Sequence, residues 1–452
     1  VRNLLFSAII TAFRLISLTP SSTLILQFQR QVNIETDRNV SIRRPQGESV
    51  MPQNPARLKN AKYSFLFALL AFSILTSVPQ PAQSQTYNVI HTFTRIGDDG
   101  ASPYGGPTLD SSGNLYGTTY AGGTFGAGNV YELSPSGSSW NYTCLYSFFG
   151  ESDGDGPGFG TLAIDNSVLY GTTEGGGDFG VAFKVGLTET GWHEHVVHSF
   201  GEGTDGGEPI GGVVFDQAGN LYGTTLLGGA YGNGTVYQVT RSGVERVIYS
   251  FTGGRDAVNP GAAVTLDADG NIYGTTSFGG YYGVGAIYKL SPSDSRWTES
   301  VLYSFRNQND GQNPLGGVIL DQAGNLYGAT FDGGANGGGT VYKLSPSGDT
   351  WSLTVLYSFT GGYGGPYNKL TFDADGNLYG ATNGEGAHGY GMVFKLAPSN
   401  GNWKFADLYD FTDGNDGGDP YGSLAIDSHG NIFGTTNLGG TDNQGVVFEI
   451  TQ

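Results

Sequence analysis

The chain of 452 residues has one cysteine, Cys144, two methionines and few lysines. A single cysteine excludes a disulfide framework and a multi-cysteine metal site, so packing must hold the fold together. Beyond residue 85 no long stretch places apolar residues at i, i+3, i+4 and i+7, which leaves helix a minor component there. Common catalytic signatures are missing too. There is no Gly-x-Ser-x-Gly elbow and no phosphate loop. The six histidines, His91, His193, His195, His198, His388 and His429, share no repeated position. His193-Glu194-His195 does not match a zincin pattern. Positive charge is also scarce. The first 84 residues hold nine of the 21 Lys and Arg and three of the 40 Asp and Glu, so the remainder carries 12 basic and 37 acidic side chains, a net of −25. Phosphate binding needs a positive surface, which argues against a nucleic-acid partner. Cations, sugars and basic partners stay open, and an acidic surface keeps an exported protein soluble.

What abounds is glycine, 77 residues, with 27 tyrosines and 26 phenylalanines. That mixture predicts short strands joined by tight turns. The segment Gly113-Asn114-Leu115-Tyr116-Gly117-Thr118-Thr119 recurs, its tyrosine position passing through Tyr116, Tyr170, Tyr222, Tyr273, Tyr327, Tyr379 and Phe433. A proline keeps the same spacing, from Pro103 through Pro157, Pro209, Pro260, Pro314 and Pro366 to Pro420. Each copy of about 53 residues holds four apolar segments, labelled A to D from the ring's inside outward; in the first copy they are 105–110, 114–119, 128–133 and 144–148. Four antiparallel strands per copy, seven times, predict an all-β, seven-bladed β-propeller over residues 86–452. The last copy ends after its C strand, and a lone D-type segment, Asn88 to Phe93, precedes the first A strand. The N-terminal strand is therefore expected to close the last blade. The glycine after each tyrosine is expected to admit an aromatic ring from a neighbour. Trp140, Trp192, Trp297, Trp351 and Trp403 read as outer packing residues just before the D strands.

The N-terminal region reads as targeting sequence. Arg57, Lys59 and Lys62 precede the apolar run from Ser64 to Leu75, and small or polar residues follow from Pro79 to Gln85. This is the pattern of a secretory signal peptide, residues 51–84, and the run is short for a stable membrane span. Residues 1–50 are then expected to be an over-called or disordered leader, with translation starting at Met51. The expected location is exported, secreted or periplasmic.

The repeat Gly-Asn-Leu-Tyr-Gly-Thr-Thr, followed by Gly-Gly and then Gly-Thr-Val-Tyr-Lys-Leu, resembles the GloVer tandem-repeat proteins over about residues 87–452. The Pro…Asp-x-x-Gly-Asn-Leu-Tyr rhythm is also similar to NHL-type propellers. The GloVer resemblance implies export and a repeat domain, without catalytic residues to carry over. Anchored members end in a sorting segment; this chain ends at Thr451-Gln452 directly after a strand, which favours secretion or periplasmic residence.

Strand direction places the D–A and B–C loops on one face. The D–A loops are acidic, with Asp99, Asp155, Asp205, Asp256, Asp310 and Asp416 as candidate ligand-binding carboxylates; copy six has Gly361-Gly362 instead. They would bind cations or polar ligands at the channel mouth, or Asp-Gly merely shapes a turn. A repeated residue favours the second reading. The B–C loops carry, in order, Phe125, Phe179, Tyr231, Tyr282, Asn336, His388 and Asp442 after a common glycine. Four aromatic copies and three polar ones suit one asymmetric ligand, and aromatic faces beside carboxylates suit carbohydrate; packing and drift between copies would also produce the pattern. Asp267-Ala268-Asp269-Gly270-Asn271 and Asp373-Ala374-Asp375-Gly376-Asn377 resemble pieces of a calcium loop but lack its distal Glu, so they read as A–B turns. No cofactor is expected apart from a possible calcium. The function expected first is a non-enzymatic binding or scaffold module for carbohydrate or another extracellular polymer. A polysaccharide-acting hydrolase or lyase using the acidic loops is the rival, and a purely structural surface protein is the third.

Overall fold

Each repeat folds into one antiparallel sheet. In the computed structural model, blade 1 has the order A-B-C-D, with A at Thr108–Leu109, B at Leu115–Thr119, C at Asn129–Ser136 and D at Ser139–Ser147. The structure describes residues 85–452 except 202, 294, 295, 362 and 363. The leader and signal-peptide segments, 1–50 and 51–84, lie outside the described residues. The chain divides into two units, Val1–Pro81 and Ala82–Gln452; the second is the one described below, and it is a seven-bladed propeller without helix among its described residues.

Closure follows the expected route. Thr86–Thr92 pairs antiparallel with Val446–Thr451, from Thr86 opposite Thr451 to Thr92 opposite Val446, and completes the seventh blade from outside. The strand bounds differ from the expected ones. The A strands shrink to two or three residues because they converge on the axis, where backbones nearly touch: a Cβ on Gly106 would overlap the Ser423 backbone of the preceding blade. The D strands begin earlier, directly at the C–D turn. The tryptophans therefore lie inside them, Trp140 opposite Pro135 and Trp403 opposite Pro398. They pack on the previous blade, as Trp403 does edge-on against Tyr327.

The core is seven clusters between blades, the closing seam included. One arrangement recurs in each. The B-strand glycine lies opposite a C-strand aromatic, as Gly171 lies opposite Phe183, and a Cβ there would stand 2.7 Å from the Phe183 ring. The ring thus crosses the glycine within its own blade. A phenylalanine ending the previous D strand then meets that ring edge-on: Phe148 on Phe183 at 5.0 Å, Phe251 on Tyr288 at 5.0 Å, and at the seam Phe93 on Tyr131 at 5.3 Å. Edge-to-face rings at this spacing are favourable beyond their burial. Every D strand also carries a bulge at one place, and the extra residue (Ile90, Leu145, Val197, Ile248, Leu302, Leu356 or Leu408) turns into the cluster. A bulge re-aims a side chain without ending the strand.

Candidate functional site

The D–A and B–C loops of each blade hydrogen-bond to one another and build one face of the ring. Gly100–Ala101 pairs with Ala121–Gly122, and Ala257–Val258 with Phe278–Gly279. Single bridges do the same in blades 3, 5 and 7, at Gly207 with Leu227, Gln312 with Asp332 and Gly418 with Leu438.

The acids of this face are engaged in shaping it. Asp256 accepts from the Thr252 amide at 2.7 Å, from Thr252 Oγ1 at 2.9 Å and from the Tyr249 hydroxyl at 3.1 Å. Asp310 accepts from Tyr303 at 2.8 Å and from the Arg306 amide at 3.1 Å. Asp416 repeats this with Tyr409 and the Thr412 amide, both at 3.0 Å. Asp99 and Asp205 stand beside histidines instead, 3.1 Å from His91 Nε2 and 3.2 Å from His198 Nε2. These two occupy the D-strand place of Tyr146 and Tyr249, so, contrary to the sequence reading, two of the histidines do share a repeated position. Burial opposes the charge on Asp99, but hydrogen bonds from His91 and Thr94 prevail and hold its carboxyl below the usual range. In copy two the equivalent residue is Asp153, which accepts from Tyr146 and the Phe149 amide, both at 2.9 Å. Asp155 stands two residues further, exposed, on the short strand Asp155–Pro157. Copy six fills its missing acid from the other loop: Glu385 reaches the Gly361 amide at 3.3 Å and Thr360 Oγ1 at 3.5 Å. A glutamate in the B–C loop thus replaces an aspartate in the D–A loop, which spacing within the D–A loops could not reveal.

The A–B turns close on themselves in the same manner. Asp267 Oδ1 accepts from the Asp269 and Asn271 amides, and Oδ2 from the Asn271 side chain and the Tyr273 hydroxyl. Asp373 does likewise. The Asp-x-x-Gly-Asn-x-Tyr rhythm is a turn that satisfies its own carboxylate. Among the described residues no group of three or more His, Cys, Asp or Glu is placed to hold a metal ion.

The aromatic positions divide. Phe125, Tyr231 and Tyr282 are each more than half exposed, whereas Phe179 is half-buried. Asn336, His388 and Asp442 are exposed. Three further aromatics on this face, Phe149, Phe278 and Tyr281, are also more than half exposed. Phe125 packs with Phe149 at 4.5 Å, Tyr281 with Tyr282 at 4.9 Å, and the Arg255 guanidinium lies over Tyr281 at 4.8 Å. Sequence reading missed these three because they fall outside the one loop position compared between copies; their signal is that Phe149 follows the packed Phe148 directly and Tyr281 precedes Tyr282.

Between blades a second set of acids comes together. Glu194, Glu245 and Glu299 occupy one D-strand position of blades 2, 3 and 4, opposite Val185, Val239 and Leu290. Burial, then repulsion from Asp153, Asp205 and Asp256 respectively, pushes each glutamate up to about 7. Tyr142, Leu353 and Phe405 stand at this position in blades 1, 5 and 6, opposite Leu133, Leu344 and Leu396.

Fold and face together define an all-β repeat propeller with a loop-built surface at one end. The chain belongs to the Gloeobacter/Verrucomicrobia repeat family, whose profile matches residues 79–267 and 259–452. No curated protein matches it. Among solved structures, the extracellular domain of a hybrid two component system from B. thetaiotaomicron is similar over 80% of this chain and 39% of its own, at 13% identity and a TM-score of 0.52. This chain therefore spans well under two thirds of that domain, and at this identity the likeness bears on the fold alone. A 6-phosphogluconolactonase-like protein from Bacteroides uniformis is similar over 67% of this chain and 82% of its own, at 12% identity and a TM-score of 0.45. Among the described residues no helix is long and apolar enough to cross a membrane.

Proposed function

We propose that this protein is an exported binding propeller whose D–A and B–C loop face takes a carbohydrate or another extracellular polymer. One observation carries the reading. Among the described residues, all six aromatic side chains that are more than half exposed (Phe125, Phe149, Tyr231, Phe278, Tyr281 and Tyr282) belong to this face, while of the large apolar side chains the C–D turns of the opposite face expose only Leu187 and Val244 to that extent. Flat aromatic faces beside hydrogen-bonding loops suit sugar rings, and contiguous exposed apolar surface marks an interaction site. The aromatics sit on blades 1, 3 and 4, so an extended ligand would lie across one part of the ring. The signal-peptide pattern of residues 51–84 supports export. The equivalent D–A acids are engaged in turns, which favours binding without turnover, and the exposed Asp155 is the carboxylate on which a hydrolase or lyase reading would rest.

Affinity electrophoresis through gels containing xylan, mannan, laminarin or dextran tests it. At least one polymer should retard the protein, Tyr231→Ala/Tyr282→Ala should abolish the retardation, and Leu187→Ser/Val244→Ser should leave it unchanged. No retardation by any polymer, or retardation indifferent to the tyrosine pair, would contradict the proposal.

A further inference from the structure

The inner ends of the A strands surround a cavity of about 450 Å³ on the propeller axis. Its wall is nearly seven-fold in one respect. Four residues before the A–B turn aspartate the copies carry Gly106, Thr161, Gly212, Ala263, Gly317, Lys369 and Ser423, and one residue earlier Gly105, Gly160, Gly211, Ala262, Gly316, Asn368 and Gly422. Small residues are what converging backbones require, yet blade 6 brings Asn368 and Lys369 into this layer, and both line the cavity.

Neither residue is fully used by the fold. The Asn368 side-chain Nδ2 is buried and has no hydrogen-bond partner. Lys369 reaches across the channel to blade 4, where Nζ donates to Thr265 Oγ1 at 2.7 Å and to the Val264 carbonyl at 3.5 Å. Among the described residues no carboxylate lies within ion-pair distance of it. Asp332, a carboxylate of the cavity wall, accepts from Asn313 Nδ2 at 3.1 Å. Four of the ring's other lysines, Lys184, Lys289, Lys343 and Lys395, stand instead on C strands opposite the repeat tyrosine. A recessed ammonium without an ion-pair partner, and an unsatisfied amide nitrogen on the adjacent residue, make an expensive arrangement that an anion would relieve. The rest of the wall is mixed: Thr161, Asn259, Ser277, Asn313 and Ser423 add polar groups, and one sector is apolar and aromatic. Tyr367 lies 5.8 Å from Phe159 and 5.9 Å from Phe331, and Ile210 and Leu315 face the same space. One cation facing an apolar and aromatic sector fits an organic monoanion better than phosphate, which draws on arginine forks or clustered amides.

We propose that the axial cavity binds a small organic carboxylate of sugar or single-ring size, its charged end held by Lys369 Nζ and Asn368 Nδ2 and its body laid against Tyr367, Phe159 and Phe331. This site is separate from the exposed aromatic face and does not depend on it. Burial lowers the Lys369 ammonium to about 8, so it is charged at neutral pH and the bound anion would raise it again.

The test is calorimetric titration of the full-length protein with sodium glucuronate and sodium benzoate, each beside its uncharged counterpart, glucose and benzyl alcohol. At least one carboxylate should bind at pH 7 in a 1:1 ratio, and its counterpart should not. Affinity should fall as pH rises from 7 to 9.5. Lys369→Met and Asn368→Leu should each weaken binding by at least about tenfold. Asn368 donates no side-chain hydrogen bond from Nδ2 to the protein, so Asn368→Leu is expected to fold and decides the matter if Lys369→Met does not. A structural staple from Lys369 to Thr265 would instead show no response to either carboxylate. Failure of both anions to bind, or unchanged affinity in Asn368→Leu, overturns the proposal.

Discussion

At each blade interface a phenylalanine meets the ring that crosses a glycine, seven times over; at the axis six A strands present Gly, Ala, Ser or Thr and the seventh presents Asn368 and Lys369. The two regions come from the same repeat under different constraints. An interface residue is packed from both sides, so a change in volume is felt at once. A side chain on the axis or in a loop faces space, and the copies can diverge there without loosening the ring. Divergence at such positions is where ligand chemistry can enter a repeat protein.

The largest expected effect comes from breaking the interface side of this comparison. Deleting residues 86–94 removes the closing strand together with Phe93, and thermal unfolding should lose its cooperative transition. A truncated protein that melts as the intact one does would show that the seam is dispensable. Next in size, Phe251→Ala and Phe93→Ala should each cost about 3–5 kcal/mol in denaturant titration. Equal costs would show that the seam is packed like any other interface; a much smaller cost at Phe93 would mark it as the weak joint.

The glutamates of blades 2 to 4 sharpen the comparison, because they are ionisable groups placed in the repeated interior. A carboxyl raised by folding from 4.5 to about 7 stabilises the fold while protonated. That contribution is full below about 4.5 and is lost as the pH climbs to about 7. Asp99, Asp216, Asp267, Asp321 and Asp373, held below 3.8, act in the opposite sense and withdraw stability as the pH falls beneath that value. Melting temperature should therefore decline between pH 4.5 and 7, and Glu194→Gln/Glu245→Gln/Glu299→Gln should flatten that decline. An identical slope in the variant would remove the glutamates from the account.

Much of this architecture was legible in the sequence because packing repeats. The tyrosine and proline spacings imply seven sheets, and the lone N-terminal strand implies the closure found in the Thr86–Thr92 pairing. The B-strand glycines were recognised as sites for a ring, although the ring comes from the same blade. The candidate site was less legible. Asp155 differs from its structural counterpart Asp153 by two residues, because Asp-Gly recurs within that one loop and only the Tyr146 contact tells the two apart. Glu385 was hidden because it substitutes through space. Asn368 and Lys369 were overlooked because the comparison of copies followed the loops; the A-strand alignment holds the signal, a lone charge where other copies carry small residues.

Smaller effects test the loop side. Asp256→Ala and Glu385→Ala should each cost about 0.5–1.5 kcal/mol, since both remove hydrogen bonds from exposed or half-buried donors that water can partly replace. A negligible cost for Glu385→Ala would mean that copy six does without its carboxylate. Smallest of all, Tyr231→Ala and Tyr282→Ala should change stability by no more than about 0.5 kcal/mol, because exposed side chains contribute little to folding.

Hydrogen exchange on the intact protein, with and without the polysaccharide that retards it in the gel, tests most directly whether function lies where the repeat diverges. Protection should appear in the B–C loops around Phe125, Tyr231 and Tyr281-Tyr282, with the C–D turns around Leu187 and Val244 unchanged. Protection at the C–D turns, or spread evenly over all seven blades, would contradict the account.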